Sequence, residues 1–595
     1  MTADEAATPE IESPPPAVPA TDSVREVLDF VVMVLVLLLL YRGFGAEAFV
    51  IPTGSMAPTL MGYHKDLRCA NCGFAYQVNA STEVEPAPTT TPGDFPPGQS
   101  PAMISACTCP VCRYTTTIEN QLAEPSYGGD RIIVSKSAYS IAQPRRWDVA
   151  VFRYPAEATT NFIKRLVGLP GETVKISNGD VFTRPTGAST FAIARKPPSK
   201  VLALLQVVHD NDLAVDAKYP ARDASAAWAV AKDSTSDAVW TTDDGGKTFV
   251  ASSDKQGDSQ PSAWLRFRHR PATYEQWQAV SPAPGTPAPV GPPQLVSDFT
   301  AYNTNHPSQF RSHQMQGSEA DIEALGLHWV GDLALEFHCA VLGNTGSLQL
   351  ELVEGGRRFR CQIELSTGLA TLSINDLDSY LPTAQTIVHG PGQYKLRLAN
   401  IDDQLLLWVQ DELVDFHTST AYQDLGNIMP TSADLSPAGI SVADARLRVD
   451  RLRILRDNYY VAASGRDEMS DYVHDPLFIV PAQNVGNRGS DSARLASIMS
   501  DPGLWPQVFS LRRAVEFRLG RDEFLMLGDN SSRSKDSRFW LDDPSRRDAP
   551  PHVVPARLMI GQAEFIYWPH SWNRTSRDGT WFPAFPNLER MGLVR

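Results

Sequence analysis

Apolar residues fall into three patterns along this chain. One uninterrupted run, Phe30 to Tyr41, contains no polar position. Across residues 130–182, short β-branched runs (DRIIVSK, WDVAVFRYP, FIKRLVGLP, ETVKISNGDVF) stop at Gly or Pro turns, which predicts strands in a compact β unit. Across 296–460, apolar and polar positions alternate in DLALEFHCAVL, SLQLELVEG, RRFRCQIELS, QYKLRLANID and QLLLWVQDELVDF. Repeated short strands of that kind predict a two-sheet sandwich. Residues 461–595 return to mixed strands, among them DEFLMLGDN and ARLMIGQAEFIYWP, while 183–295 gives no clear pattern and ends in the Pro-rich SPAPGTPAPVGPP. No self-similarity recurs at the periods of roughly 20–50 residues that mark solenoids. The pattern as a whole predicts a mainly β protein.

The apolar run is short for a membrane span, which needs about 20 residues. If Asp29 and Arg42 sit at the two interfaces, a transmembrane anchor over 24–46 becomes feasible. A cleavable signal peptide is a second reading, with Ala46-Glu47-Ala48 as a small-x-small site, but its amino flank should be basic and this one is acidic apart from Arg25. A buried core helix is the third. Residues 1–23 are acidic and Pro-rich, with Asp4, Glu5, Glu10 and Glu12, and cannot bury enough apolar surface to fold. Charge does not orient the anchor, because Arg25 on one side faces Arg42, Lys65 and Arg68 on the other.

At 595 residues the chain is too long for one core. A net charge of −15, no long basic block and no helix-turn-helix pattern argue against nucleic acid as a partner. Five of the seven cysteines lie between residues 69 and 112. CANCGF and CPVCRY are two C-x-x-C knuckles, so Cys69, Cys72, Cys109 and Cys112 are candidate ligands of a structural tetrahedral zinc, with Cys107 as a spare. The bland alternative is a pair of disulfides or surface thiols. Cys339 and Cys361 stand apart, as a disulfide or as two buried thiols.

Three segments carry candidate chemistry. In VIPTGSMAPTL, Ser55 sits in a small-residue turn outside any helical pattern. A serine nucleophile needs a base within hydrogen-bond reach. No histidine lies in a triad-like motif, and there is no G-x-S-x-G elbow. A lysine can serve instead if burial lowers its pKa enough to leave it neutral. NFIKRLVGLPGE offers that setting around Lys164, although a lone FIKR run is ordinarily a strand lysine facing water. In LMLGDNSSRSKDSRFW an apolar strand runs into a polar loop with Asp529, Asn530, Ser534, Asp536 and Arg538, which is either a capped turn or a shell orienting the base.

Together IPTGSMAPTL, RRWDVAVFRYP to NFIKRLVGLPGE, and LGDNSSRSKDSR followed by IGQAEFIYWP resemble the type I signal peptidase family of membrane-bound Ser-Lys proteases, in the family's order. The resemblance covers about residues 25–68, 130–182 and 515–570. It implies Ser55 as nucleophile and Lys164 as general base, with no catalytic cofactor. It implies an oxyanion site made by the Ser55 N–H and the residue two before it, here Thr53 rather than serine, and places the lysine-orienting hydroxyl on Ser534, with Asp536 and Arg538 completing the loop. Phe49, Ile51 and Ile163 are candidates for shallow pockets that take small substrate side chains.

The expected organisation is a tail over 1–23, an anchor over 24–46, catalytic core over 47–68, a zinc-ribbon-like insertion over 69–114, and core again over 115–182. An insertion of unclear fold over 183–295, a sandwich over 296–460 resembling concanavalin-like or laminin-G-like domains and set far from the catalytic seam, and a C-terminal core part over 461–595 complete it. Signal-peptide-bearing preproteins and membrane lipid are the expected partners, with a glycan or protein as candidate ligand of the sandwich. The resemblance puts the protein at the cell membrane, single-pass, with its catalytic domain on the extracytoplasmic side. The rival from another class is a cell-surface binding protein whose sandwich is active and whose protease core is inert. A self-cleaving repressor, the second rival, would need a DNA-binding module.

Overall fold

A computed structural model describes residues 23–40, 45–84, 103–118, 124–213, 227–230, 239–252, 263–280, 289–307, 326–423, 426, 429–465, 470–479, 491–542, 552–569 and 588–595. The acidic tail before residue 23 and most of the Pro-rich loop at 84–102 and of the linker at 281–293 lie outside these.

The apolar run forms a helix, Ser23–Leu40. Its side chains from Val27 to Val36 are exposed on every face, Phe30 by 61% and Leu35 by 54%. The buried core helix is therefore excluded. Arg25, Glu26 and Asp29 occupy its first two turns, and no helix among the described residues is long and apolar enough to cross a membrane. The expected limit at residue 46 is also late: Ala46–Val50 is a strand paired with Arg131–Ser135. Ala46-Glu47-Ala48 is thus held in a ladder, not presented as an extended cleavage site.

That strand forms one edge of an antiparallel sheet that runs on through Arg131–Ser135, Met559–Trp568, Val149–Tyr154, Glu157–Gly168, Glu523–Leu527 and Val554–Pro555. VAVFRY reads as a continuous apolar run because both faces of its strand are covered. Val149 and Val151 pack with Ile51, Met56 and Ile132, whereas Ala150, Phe152 and Tyr154 pack with Leu166, Met526 and Trp540. Tyr154 stacks on Phe162 across the hairpin at 4.5 Å. A second sheet of Ala192–Ile193, Asp180–Pro185, Glu172–Ser177 and Ala514–Arg518 packs against the end of the first through Val167, Val174, Phe517 and Leu525.

The sandwich begins earlier than the alternation in sequence indicates. Its eight-stranded and seven-stranded sheets take Gln206–Asp210, Val239–Thr241 and Phe249–Ser252, and Trp228–Val230 and Ala263–Phe267, respectively, from the region that gave no clear pattern. Those strands are short and belong to sheets completed some 170–250 residues later, so no local alternation marks them. Leu335 and Phe337 from one sheet and Leu348, Leu350 and Phe359 from the other share one core. Cys339 and Cys361 lie in this core as free thiols, not a disulfide.

The C-terminal part is not all strand. Asp491–Ser500 and Trp505–Phe509 are helices packed with Leu295, Leu327 and Trp329. The cysteine-rich segment folds as a hairpin, His64–Arg68 with Ala75–Asn79, and a small sheet of Ile104–Thr108, Thr115–Thr117 and His306–Pro307.

Phe337 is fully buried between the two sheets. Phe337→Ala should destabilise the sandwich by about 3–5 kcal/mol. Urea unfolding followed by fluorescence will measure this, and a loss below about 1 kcal/mol contradicts a shared core.

Candidate active site

The nucleophile candidate sits on a short 3₁₀ turn, Gly54–Met56, reached directly from the edge strand. The turn is fixed from below by apolar anchors: Met56 and Leu60 are fully buried with Ile51 and Val149. It is fixed from the side by Asn530, whose backbone N–H donates to Ser55 O at 3.1 Å and whose Nδ2 donates to Gly54 O at 3.2 Å. Gly54 has to be glycine, because a Cβ there would lie 2.2 Å from the buried ring of Tyr302. Gly528 is equally constrained, its Cβ position being 2.4 Å from Ser55 O.

Lys164 stands opposite Ala150 in the hairpin, on the same strand parity as Phe162 and Leu166. It is 4% exposed, and Nζ lies 5.3 Å from the centre of the Phe162 ring. Nζ is 2.6 Å from Ser55 Oγ and donates to Ile163 O at 2.9 Å. Burial brings the amine down to about 8, against the opposing pull of Asp536 and Asp529. A neutral amine with one N–H on a carbonyl keeps its lone pair for the serine proton. The pair is therefore a hydroxyl and a weakly basic amine in hydrogen-bond contact, the geometry a serine nucleophile and its base require.

The loop from Gly528 to Arg538 is held by buried ion pairs. The Arg165 guanidinium grips Asp529 through Nε and Nη2, both at 2.7 Å, and donates to Trp147 O at 2.8 Å. Arg538 forks onto Asp536 at 2.8 and 2.7 Å and also donates to Val461 O and Ser531 O. Asp536 accepts from the Gly528 N–H at 2.9 Å. Arg165, adjacent to the lysine, carries no sequence signal of its own beyond that adjacency.

Three expectations differ from the geometry. The Ser534 hydroxyl is fully buried but makes no hydrogen bond to Lys164 or to any other group, while a lysine N–H is directed to Ile163 O. Ile51 is 2% exposed and belongs to the core beneath the turn; only Phe49 and Ile163 keep part of their surface at that cluster's edge. The inserted region is not far from the seam. Tyr302 packs with Ala57 and Met61, and Asn303 exchanges hydrogen bonds of 2.7 and 2.8 Å with Asn530. Thr53 is exposed, and its hydroxyl makes no cap bond to the turn it precedes.

The four knuckle sulfurs of Cys69, Cys72, Cys109 and Cys112 lie within 4.8 Å of one another, and all are free thiols. Cys69 to Cys112 is 3.5 Å and Cys72 to Cys109 is 3.6 Å. Tetrahedral zinc with bonds of about 2.3 Å separates sulfurs by about 3.8 Å, so the donor set fits. The Asn71 and Cys72 N–H groups also point at Cys69 Sγ, as donors to a thiolate would. The spare, Cys107, is not in the cluster; its sulfur lies 3.3 Å from Tyr76 Oη.

A family model described as signal peptidase, peptidase S26, matches residues 103–196, a stretch that includes Lys164 and begins after Ser55. Signal peptidase I of Pseudomonas aeruginosa is 49% identical over 59 residues, which is 8% of this chain and 21% of that protein. Signal peptidase I of Pseudomonas fluorescens is 30% identical over 145 residues, 24% of this chain and 32% of that protein. The chain thus spans only a fifth to a third of these curated relatives. These matches support the resemblance to type I signal peptidases and mark the chain as carrying peptidase sequence. A carbohydrate-binding module of Bacillus subtilis aligns with 38% of this chain and 94% of its own at 9% identity, but the TM-score of 0.20 carries no argument.

Below about 8 the buried lysine holds a proton and cannot accept one from Ser55. Any reaction that uses this pair should show kcat/KM rising about tenfold per pH unit up to about 8 and flat above it. A pH–rate profile that is flat between about 6 and 9 would contradict a lysine base.

Proposed function

We propose that this chain is a membrane-anchored serine endopeptidase that removes N-terminal signal peptides from exported preproteins by a Ser-Lys mechanism. The observation that carries the reading is the 2.6 Å contact between Lys164 Nζ and Ser55 Oγ in a setting that leaves the amine neutral at mildly alkaline pH. The peptidase matches point to the same chemistry.

In this mechanism Lys164 takes the Ser55 proton as Oγ attacks the scissile carbonyl carbon. Negative charge develops on the carbonyl oxygen, and the Ser55 N–H and the open Thr53 hydroxyl are its candidate donors. The protonated Lys164 then gives its proton to the departing amine, the C–N bond breaks, and the signal peptide remains as an ester on Ser55. Lys164 next deprotonates a water, whose oxygen displaces Oγ and regenerates the pair. Asp529, Asp536, Arg165 and Arg538 act by fixing the loop that carries Asn530, and Asn530 fixes the turn. Ser534, buried and without a partner, can receive the lysinium N–H once Lys164 has taken a proton.

The helix Ser23–Leu40 serves as the membrane-associated element. Its apolar side chains from Val27 to Val36 are exposed apart from a half-buried Val34, which in water would be a liability and in lipid is the ordinary state. With Arg25, Glu26 and Asp29 left at one interface, the apolar part, residues 30–40, rises about 17 Å at about 1.5 Å per residue, roughly half the hydrocarbon thickness. Phe49 and Ile163 are candidate walls for small substrate side chains. Cys69, Cys72, Cys109 and Cys112 would hold zinc, which supplies a cross-link and no step of the reaction.

Ser55→Ala and Lys164→Ala should each reduce cleavage of a signal-peptide-bearing precursor in detergent by at least about a thousandfold, with the purified variants folded as wild type. Near-normal processing by either variant overturns the assignment.

A further inference from the structure

The segment Asp298–Thr304 lies between the sandwich strands Ala263–Phe267 and Leu333–Val341, yet its residues divide between the cysteine ribbon and the Gly54–Met56 turn. Ala301 packs in the ribbon core with Cys69, Cys107 and Cys109. Tyr302, 5% exposed, closes over Gly54 and packs on Ala57 and Met61. Asn303, 4% exposed, is locked to Asn530 by two hydrogen bonds and also donates to Ser532 Oγ at 3.1 Å. Thr304 Oγ1 accepts from the Thr108 N–H at 2.9 Å, one residue from Cys109. His306 then pairs with Ala106 in the ribbon sheet. Arg456 fixes the other end by donating to Asp298 O and Phe299 O, both at 3.0 Å.

We infer that Asn303 is a positioning residue for Ser55, and that metal occupancy of the four-cysteine site controls the catalytic turn through residues 301–304. Of four consecutive residues the outer two, Ala301 and Thr304, are tied to the ribbon and the inner two, Tyr302 and Asn303, to the site, so loosening the ribbon frees both ends of the pair that holds Asn530 and Gly54. Asn530 carries both carbonyls of the Gly54-Ser55 pair. A tetrahedral cation bonded to all four sulfurs would tie the knuckle of Cys69 and Cys72 to the knuckle of Cys109 and Cys112, whereas the bare thiols are joined only by S···S contacts of 3.5 and 3.6 Å. The strap is therefore tight with metal and slack without it. This rests on the reading of Ser55 as nucleophile only where activity is the readout.

The test uses the full-length protein in detergent, with metal content measured before and after removal by a chelator and after reloading with Zn²⁺. Two readouts are taken on wild type, Asn303→Ala and Thr304→Val: amide hydrogen exchange of the 53–61 peptide, and the rate of Ser55 acylation by a serine-reactive probe with kcat and KM on a precursor. Stripping should speed exchange of that peptide and lower kcat about tenfold at unchanged KM, and Zn²⁺ should restore both. Asn303→Ala should lower kcat by a similar factor, and stripping it should cause little further loss, because both changes break one link. Thr304→Val cuts only the ribbon side and should behave like partial stripping, which covers the case of an Asn303 variant that does not fold. Exchange and kcat that ignore metal, or losses that simply multiply, overturn the inference. Metal-dependent exchange in a wild type that never acylates instead overturns the peptidase reading and leaves the link standing.

Discussion

Everything at the centre of this protein depends on an amine held out of water. A lysine at 4% exposure loses most of its hydration, so its charged form is penalised and its pKa falls to about 8. Asp536 and Asp529 oppose that fall, and their carboxylates are engaged by Arg538 and Arg165. Each guanidinium pairs with one of the two acids that oppose the fall, so the ion pairs bear on the lysine's surroundings as well as on the loop. The aromatic and aliphatic residues around them, Phe162, Leu166 and Trp540, keep water from relaxing the balance.

The inserted units are bound into this arrangement. The sandwich has a core of its own, but the chain between its strands Ala263–Phe267 and Leu333–Val341 passes over the Gly54–Met56 turn and through the ribbon sheet. A hydrogen bond between two asparagines, each able to give and take, suits such a junction because it fixes both partners without placing another charge near the lysine.

Much of the site was legible because its parts are local. Ser55 in its turn, Lys164 in an apolar strand, the two knuckles, and Asp536 with Arg538 are each read within a few residues. What stayed hidden is long-range. Asn303 and Tyr302 look like any turn residues until the fold brings them to Asn530 and Gly54. The strands between 206 and 267 are too short to show a period, and their partners come from 438–456. Ile51 reads as a pocket residue beside Phe49, but it lies just past the end of the strand and packs beneath the turn with Met56, Leu60 and Val149. The bond expected from Ser534 to the lysine is absent, and the lysine donates to Ile163 O instead, a main-chain partner that side-chain motifs do not reveal. The helix Ser23–Leu40 was visible as an apolar run, though its end was set too late, at a residue that the edge strand already uses.

The Gly54 carbonyl and the Asn530 side chain that holds it are 476 positions apart, and Thr59 reaches Asp529 across 470. A ribosome therefore makes the serine long before the loop that seats it. During that interval the Gly54–Met56 turn lacks the Asn530 bonds that fix its carbonyls. The distance along the chain thus acts as a delay, and the turn is set only after the inserted units between them have been made.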